Sequence, residues 1–281
     1  QDMFSNEGDN GNGNYSFSSS KQLKDKCFSL DQGIFESFLD SVAASSFYHM
    51  DTAEAGKAGL ISSGTSQYLV NANGVEYKQL IEKGLMGSVF MYQALNVYFG
   101  PDKMVVDNST AVSPSEGKYY TAMEHHFDEA FGYFGVEIDF PSTLPSDFWG
   151  KYCNAQDGLL SSNKTMMDNF LKGRAAISNE VYSDRDAAIL AIRNMWEEVS
   201  AYQAIEYLNQ AIGHFGNDNA KFLHTLSEAY AFAWNLKYAP EDTRRFSVQA
   251  HQDLMALFGT DFWALGLSDL NNIKSEILAK Y

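Results

Sequence analysis

The segment 119–134, with the sequence YYTAMEHHFDEAFGYF, concentrates side chains that can bind a metal ion or transfer a proton. Read as a helix, it places His126 and Glu129 on one face among apolar side chains, whereas Glu124 and Asp128 point to the other side. A buried imidazole and carboxylate need partners, because leaving them unpaired is costly. They must bond to each other, contact groups from another helix, or hold a cation.

A second helix, predicted over 221–238, carries a similar pair. His224 and Glu228 lie on one side of it, along a strip of small and polar residues. We predict that this helix packs beside the helix that begins near residue 119, so that His126, Glu129, His224 and Glu228 form one polar cluster. Facing helices of a bundle can hold a divalent metal such as iron or zinc in this way. A purely structural hydrogen-bonded network is the equally open alternative.

Familiar catalytic motifs are missing from the sequence. The inverted zinc-protease signature needs a second imidazole where Ala130 follows Glu129, and His-Glu-x-x-His does not occur. A hydrolase also needs a general base, for which only Glu124 and Glu129 are candidates. The sequence has no Gly-rich phosphate loop, nucleophile elbow or dinucleotide fingerprint. These observations favour binding over catalysis. Three further histidines are predicted at the surface or in loops: His49, His125 and His251.

Composition limits the classes of partner. The 281 residues include 20 basic and 36 acidic side chains, for a net charge of −16, which argues against nucleic acid and anionic lipid surfaces. Cations and neutral or basic partners fit better. The two cysteines, Cys27 and Cys153, neither require nor exclude a disulfide. No apolar run reaches the roughly 18 residues that a membrane span needs.

Hydrophobic periodicity predicts helices along most of the chain and almost no strand. We predict two helices within 20–46, one over 75–99, one over 166–182, the longest over 184–211, and further helices after residue 243. The stretches 56–73 and 101–117 are predicted to be an irregular connection and a polar loop. Within 75–99, Gln79 and Lys83 share a face, and Gly84 and Gly87 indicate a close approach by another backbone or a ligand.

The predicted fold class is therefore all-α, as one large or two adjoining helical bundles. We predict an irregular N-terminal segment over 1–19 and a helical domain over 20–281, with a division into two bundles near 145–165 as the alternative. The run 9–14 is loosely like a calcium loop but lacks the full ligand set. The core is predicted to contain the following apolar side chains: Leu85, Phe90, Trp196, Phe222 and Leu226.

The run 120–135 resembles the signature of a domain-of-unknown-function family of bacterial cell-envelope lipoproteins that are similar to imelysins. Stretches at 57–60, 68–70, 73–76, 83–87 and 224–229 support this resemblance, which spans about 20–280. Imelysins are helical, two-bundle proteins with a Gly-x-His-x-x-Glu motif, linked to iron uptake and in one lineage to metallopeptidase activity. His126 and Glu129 match that motif, whereas Glu124 replaces its glycine.

The resemblance implies an extracytoplasmic protein of the bacterial envelope, lipid-anchored in its full-length form, since family members carry a further N-terminal portion after a lipoprotein signal. Combined with the polar cluster, it leads us to expect a non-enzymatic protein that binds a metal ion or metal complex and serves metal uptake. A metallopeptidase-like hydrolase and a helical scaffold that binds another envelope protein are the alternatives. The sequence does not distinguish among metals or ligands.

Overall fold

The computed structural model describes residues 22–281, so the predicted irregular segment 1–19 and the run 9–14 lie outside the described residues. Within the described part, helices dominate, which confirms the all-α helical fold. These residues contain the following α-helices: α1 Leu23–Lys26, α2 Gln32–Ser46, α3 Tyr77–Leu85, α4 Pro101–Met104, α5 Ala122–Phe134, α6 Phe148–Leu160, α7 Ser162–Ser178, α8 Tyr182–His214, α9 Asn219–Asn235, α10 Val248–Leu257 and α11 Leu267–Leu278.

Helix α8 is the spine of the molecule, as the long period over 184–211 predicts. Its 33 residues bury apolar side chains along most of its length, because α7 and α9 pack against it over many turns. One continuous hydrophobic cluster includes side chains on both sides of 145–165. For example, the rings of Phe134 and Phe170 lie 5.6 Å apart. The same core therefore continues across 145–165, the stretch where the alternative prediction places a division into two bundles.

The helix predicted over 75–99 changes its type half-way. Helix α3 passes directly into two π-helical segments, Met86–Met91 and Gln93–Tyr98. Donors from other helices bind carbonyl groups of this stretch: Trp149 Nε1 donates to Met86 O at 2.8 Å and Arg193 Nη2 donates to Leu95 O at 2.9 Å. Such external donors stabilise a backbone that departs from the α-helical pattern.

The two glycines of this helix lie where side chains of other helices come close, not the backbone or ligand that the sequence predicts. A Cβ atom added at Gly84 would lie 2.9 Å from a ring carbon of Phe35 in α2. A Cβ atom added at Gly87 would overlap the side chain of Asn235 in α9. In both cases the neighbour is a side chain, and only glycine leaves room for it.

The predicted core is confirmed at three of its five positions. Trp196, Phe222 and Leu226 are buried in the main cluster. Leu85 and Phe90 are only partly buried, and they pack against a smaller cluster around Phe35. They lie at and after the change to π-helix, where i→i+5 bonding shifts the faces that an α-helical period predicts.

Two short antiparallel hairpins interrupt the helices. The first pairs β1, Gly59–Ser63, with β2, Ser66–Val70, so the prediction of an irregular connection over 56–73 is wrong. The second pairs β3, Ala111–Ser113, with β4, Lys118–Thr121. The stretch 101–117 is thus not only a polar loop, because it contains α4 and β3. A two-residue turn with a left-handed Gly64 closes the first hairpin.

Helix α5 begins at Ala122, three residues later than predicted, because Thr121 caps it. The Thr121 hydroxyl accepts from the Glu124 N–H at 3.2 Å, and the Glu124 carboxylate accepts from the Thr121 N–H at 2.9 Å. This reciprocal capping box fixes the start of the helix. It leaves 118–121 extended and free to pair with β3.

The histidines predicted at the surface or in loops differ in their exposure. His49 and His125 are exposed, as predicted. The prediction for His251 is wrong, because α10 packs on α9 and buries the imidazole, whose Nε2 lies 3.1 Å from Ala233 O. Both cysteines are buried and free. No helix among residues 22–281 combines the length and the apolar composition that a membrane span requires.

Candidate functional site

His126 of α5 is held by a single neighbouring residue, Lys103 of α4. Its Nδ1 lies 3.2 Å from the Lys103 carbonyl oxygen, and its Nε2 lies 3.4 Å from the Lys103 ammonium. This pattern assigns a neutral ring that donates from Nδ1 and accepts at Nε2. Both nitrogens are therefore engaged, and the adjacent ammonium would repel a metal cation at Nε2.

Glu129 lies one turn further along α5 and faces a different group. Its Oε1 accepts a hydrogen bond from the Tyr98 hydroxyl at 3.3 Å, and its Oε2 lies 3.8 Å from His125 Nε2. Burial raises the pKa of Tyr98, and the Glu129 charge raises it further, so the phenol stays protonated as the donor. Glu129 also lines an open cavity of about 560 Å³, which we call the aromatic cleft. The aromatic cleft is lined by Phe90, Tyr98, Glu129, Gly132, Tyr133, Gly135 and Phe148.

His224 of α9 lies between two carboxylates. Its Nδ1 is 2.6 Å from Glu76 Oε2, just ahead of α3, and its Nε2 is 3.4 Å from Glu228 Oε2, one turn along α9. The ring stacks on Tyr68 of β2 with 4.3 Å between centroids. Helix α9 supplies the His and one Glu by its i, i+4 spacing, while the packing of α3 against α9 brings the second Glu.

The buried charge near His224 is compensated by Lys83. The Lys83 ammonium lies 3.8 Å from Glu228 Oε1 and 2.5 Å from Glu82 Oε1. Burial raises the pKa of Glu228, while the charges of His224 and Lys83 act in the opposite direction. The cluster is thus a buried network of both signs, in which burial weakens the preference of Glu228 for its ionised form.

A cavity of about 480 Å³ opens above this network, between α2, the first hairpin, the start of α3 and α9. We call it the hairpin cleft. Its lining residues are Val42, Ser45, Leu60, Ser66, Gln67, Tyr68, Leu69, Glu76, Tyr77, Lys78, Gln79 and His224. The cavity thus combines apolar and aromatic walls with a few convergent polar groups, a combination typical of small-molecule sites.

Gln79 is the side chain in the hairpin cleft whose bonding is incomplete. It is only 4% exposed, and its Nε2 donates to Glu76 Oε1 at 3.3 Å. Because a carboxylate only accepts hydrogen bonds, this contact fixes which end of the amide carries the nitrogen. Among residues 22–281, the amide oxygen, Oε1, is then buried with no hydrogen-bond partner. A buried acceptor of this kind requires an explanation, such as a donor supplied by a ligand.

The structure brings two of the four predicted site residues together and holds the other two elsewhere. His224 and Glu228 share the network beside the hairpin cleft, whereas His126 and Glu129 contact Lys103 and the aromatic cleft. Across residues 22–281, no hydrogen bond or ion pair joins the two pairs. The two helices pack against other elements: α5 packs on the second π-helical segment and on α7, whereas α9 packs on α8 and α3.

The arrangement can be tested for its fit to a metal ion. In the described part of the chain, no group of three or more His, Cys, Asp or Glu side chains is arranged to hold a metal. The carboxylates of Glu76 and Glu228 lie against opposite nitrogens of His224, so the three groups cannot converge on one ion from their present places. Metal binding by His126, Glu129, His224 or Glu228 stays a prediction.

Sequence reasoning missed three residues of the hairpin cleft. Tyr68 comes from the hairpin, a region predicted to be irregular, and Glu76 lies at the start of the helix predicted over 75–99, where the apolar period did not draw attention to it. Gln79 did carry a signal, because it shares a helix face with Lys83 among apolar residues, and both prove to be buried. Polar residues repeated on the buried face of a helix are the pattern that could have located this cleft.

Comparisons with known proteins place the chain in a family. Neither the curated proteins nor the solved structures give a significant match. The model of a family described as a domain of unknown function (DUF4856) matches residues 14–281, nearly the whole chain. That description names neither lipoproteins nor imelysins, so this part of the resemblance stays a prediction. The chain belongs to the DUF4856 family.

Proposed function

We propose that this protein is a non-enzymatic binding protein that takes a small polar ligand in the hairpin cleft. The observation that carries the proposal is Gln79, a residue of the cavity lining whose amide Oε1 is buried and has no hydrogen-bond partner within residues 22–281. Leaving such an acceptor unpaired costs on the order of 1–3 kcal/mol, which a ligand with an N–H or O–H group would recover. The ligand must therefore present a hydrogen-bond donor.

The walls of the hairpin cleft add two further requirements. The stacked rings of Tyr68 and His224 offer a flat surface, with the side chain of Tyr77 also in the lining. The carboxylate of Glu76 lies beside Gln79 as a second acceptor. A flat or apolar group that carries one or more N–H donors satisfies both features, and a positive charge on the donor suits a chain of net charge −16.

A metal complex meets these requirements better than a bare metal ion. Both nitrogens of His224 already face carboxylates, so an ion would have to displace Glu76 or Glu228 from the imidazole. The organic part of a metal complex needs only a donor for Gln79. We therefore include metal complexes in the proposed ligand class, and the link to iron or metal uptake rests on the imelysin-like resemblance.

The extracytoplasmic location and the lipid anchor rest on the same resemblance. Fractionation of cells that express the native full-length protein tests them. We expect the protein in the envelope fraction, labelled by a radioactive fatty acid. Recovery in the cytoplasmic fraction without label would overturn this part of the proposal and leave the hairpin cleft unaffected.

The hydrolase alternative finds less support in the same residues. The Glu76–His224 pair has the arrangement of the orienting half of a nucleophilic triad. However, Nε2 of His224 faces the Glu228 carboxylate, and within the described residues it bonds no hydroxyl or thiol. A base without a nucleophile cannot start acyl transfer. Incubation with a peptide library and added zinc tests this; turnover that either His224→Ala or Glu129→Ala abolishes would replace binding with catalysis.

The scaffold alternative is favoured by one separate observation. The turn after α2 exposes Phe47 to 85% and Met50 to 86%, so one short segment presents two large apolar side chains to solvent, and exposed apolar surface is a feature of contact sites. Binding of a small ligand and of an envelope protein are compatible, because these side chains do not line the hairpin cleft.

Three probes of one shape test the ligand class. Benzamidine carries charged N–H donors, benzamide carries neutral N–H donors, and benzoate carries only acceptors. Titration into the protein, followed by ¹H–¹⁵N NMR, is expected to shift the signals of Tyr68, Gln79 and His224 with the first two probes and not with benzoate. Equal binding of all three would contradict a site defined by an unpaired acceptor.

Gln79→Met removes the acceptor at nearly constant volume, and Gln249→Met makes the same change at an exposed position of α10. We expect Gln79→Met to weaken benzamidine binding by about tenfold to a hundredfold, since a hydrogen bond to a charged donor contributes roughly 1.5–3 kcal/mol. Gln249→Met is expected to bind as the wild type. Unchanged affinity in Gln79→Met would remove Gln79 from the site and with it the proposal.

A further inference from the structure

The aromatic cleft is lined by a connected series of rings. Phe148 and Phe90 lie 5.3 Å apart between centroids, Phe90 and Tyr133 6.2 Å, and Tyr133 and Tyr98 5.4 Å. These rings come from three separate elements, the π-helical segments, α5 and the start of α6. Glu129 lies among them as the acidic group of the lining, and its side chain is 35% exposed.

One of these rings is presented at a conformational cost. Phe148 has a φ of +53°, which is rare for a bulky residue, yet its side chain remains 50% exposed. Burial of the ring therefore does not compensate for the strain. Strained residues of this kind cluster at ligand-binding sites. The backbone at Phe148 directs the ring toward Phe90 and completes the wall of the aromatic cleft.

The floor of the cleft carries no side chain. A Cβ atom added at Gly132 or Gly135 would meet nothing within 4 Å. Gly132 has ordinary helical geometry in the interior of α5, where glycine is a poor helix former, so the conformation of the helix does not require it. A side chain at position 132 would therefore enter open space at the lining of the cleft.

Electron-rich ring faces and a carboxylate together attract cations. Tyr98 already makes such a contact, since the Lys26 ammonium lies 5.7 Å from its ring centroid. A primary ammonium carries three N–H groups that must each find an acceptor, whereas the side chains of the lining are mostly aromatic, with the Glu129 carboxylate and the phenol oxygens of Tyr98 and Tyr133 as their polar groups. A fully alkylated ammonium needs none.

We infer that the aromatic cleft is a second binding site, separate from the hairpin cleft, and that it takes a small organic cation with a quaternary ammonium group. The rings contact the alkyl groups, and Glu129 balances the charge. This inference goes beyond the proposed function and does not depend on it, because the two clefts share no lining residue.

Choline and its neutral analogue of the same shape, 3,3-dimethyl-1-butanol, test the role of charge. Isothermal titration of the full chain is expected to detect choline binding, and the neutral analogue is expected to bind about tenfold more weakly, since cation–π contacts and the carboxylate act only on the cation. Equal affinities would show an apolar groove and overturn the inference. No choline binding at tens of millimolar would also overturn it.

Gly132→Leu fills the cleft without displacing a neighbour, and Gly158→Leu makes the same change at an exposed site of α6 that also has open space. Both substitutions replace a helical glycine, so both variants are expected to unfold at a temperature equal to or above that of the wild type. Gly132→Leu is expected to lose choline binding, whereas Gly158→Leu retains it. Choline binding by Gly132→Leu at wild-type affinity would overturn the inference.

Glu129→Gln keeps the shape of the side chain and its acceptor for Tyr98 while it removes the charge. We expect choline affinity to fall several-fold and binding of the neutral analogue to stay the same. A fall for both ligands would indicate a structural role for Glu129 and contradict its role as counter-charge. Benzamidine binding in the same variant is expected to equal that of the wild type, which separates this site from the hairpin cleft.

Discussion

Acid is expected to destabilise this protein through one buried imidazole, His251. The side chain is 6% exposed, and its Nε2 lies 3.1 Å from Ala233 O, the bond of a neutral donor. Burial lowers the pKa of His251 from 6.5 to about 4, and the nearby cations Lys237 and Arg244 contribute in the same direction. Protonation therefore occurs far more readily in the unfolded chain than in the native protein.

The sign and size of the effect follow from this difference in pKa. Between pH 6.5 and about 4 the unfolded state binds more protons than the folded state, so His251 lowers stability as the pH falls through that window and has no effect above it. At about 1.4 kcal/mol per pH unit, the full loss is about 3 kcal/mol, and roughly 2 kcal/mol is lost by pH 5.

Urea unfolding at pH 8, 6.5 and 5 measures this loss. His251→Gln keeps an N–H donor for Ala233 but does not titrate, and His49→Gln removes an exposed imidazole as the matched control. The wild type and His49→Gln are expected to lose about 2 kcal/mol more than His251→Gln between pH 8 and pH 5. An equal loss in all three proteins would refute the assignment of acid sensitivity to His251.

Two further variants test contacts between α9 and the helix over 77–98. Burial raises the pKa of Glu228, so its ionisation lowers the free energy of unfolding once the pH rises above the ordinary pKa of a carboxyl group. In urea unfolding, Glu228→Gln is therefore expected to be more stable than the wild type at pH 8, and the difference is expected to shrink toward pH 4. Gly87→Ala is expected to destabilise the protein by about 1–3 kcal/mol, because the added Cβ atom overlaps Asn235. Gly158→Ala, which adds a Cβ atom in open space, is expected to stabilise it slightly. Equal melting temperatures for the two variants would contradict the close contact at Gly87.

Helices were predictable wherever one face is buried over several turns. The period over 184–211 located α8, and that over 221–238 located α9 with its 3₁₀ extension, Leu236–Tyr238. The first hairpin was not predictable from the sequence, because its strands have five residues each and alternate poorly between apolar and polar side chains. Its pairing depends on the backbone and on the turn at Gly64, and neither produces a hydrophobic period.

The candidate site was predictable only as far as one helix extends. His224 and Glu228 are four residues apart, so the sequence shows that they share a face. Their partner Glu76 is 148 residues from His224, and only the packing of α3 on α9 makes it a neighbour. Sequence reasoning paired His224 with His126 instead, because solvation requires a partner for each buried polar group but does not say which one.

The continuous helix over 77–98 links the two clefts, and its rigidity predicts that they bind independently. Its α-helical half brings Gln79 to the hairpin cleft, and its π-helical half brings Phe90 and Tyr98 to the aromatic cleft. Donors from Trp149 and Arg193 hold the π-helical backbone in place.

Coupling between two sites requires an element that can adopt two arrangements. The donors from Trp149 and Arg193 hold the helix over 77–98 in a single arrangement. The benzamidine affinity is therefore expected to change less than about twofold when choline saturates the aromatic cleft, and the reverse titration should agree because linkage is reciprocal. A larger, equal change in both titrations would mean that the helix over 77–98 adopts a second arrangement and transmits binding between the clefts.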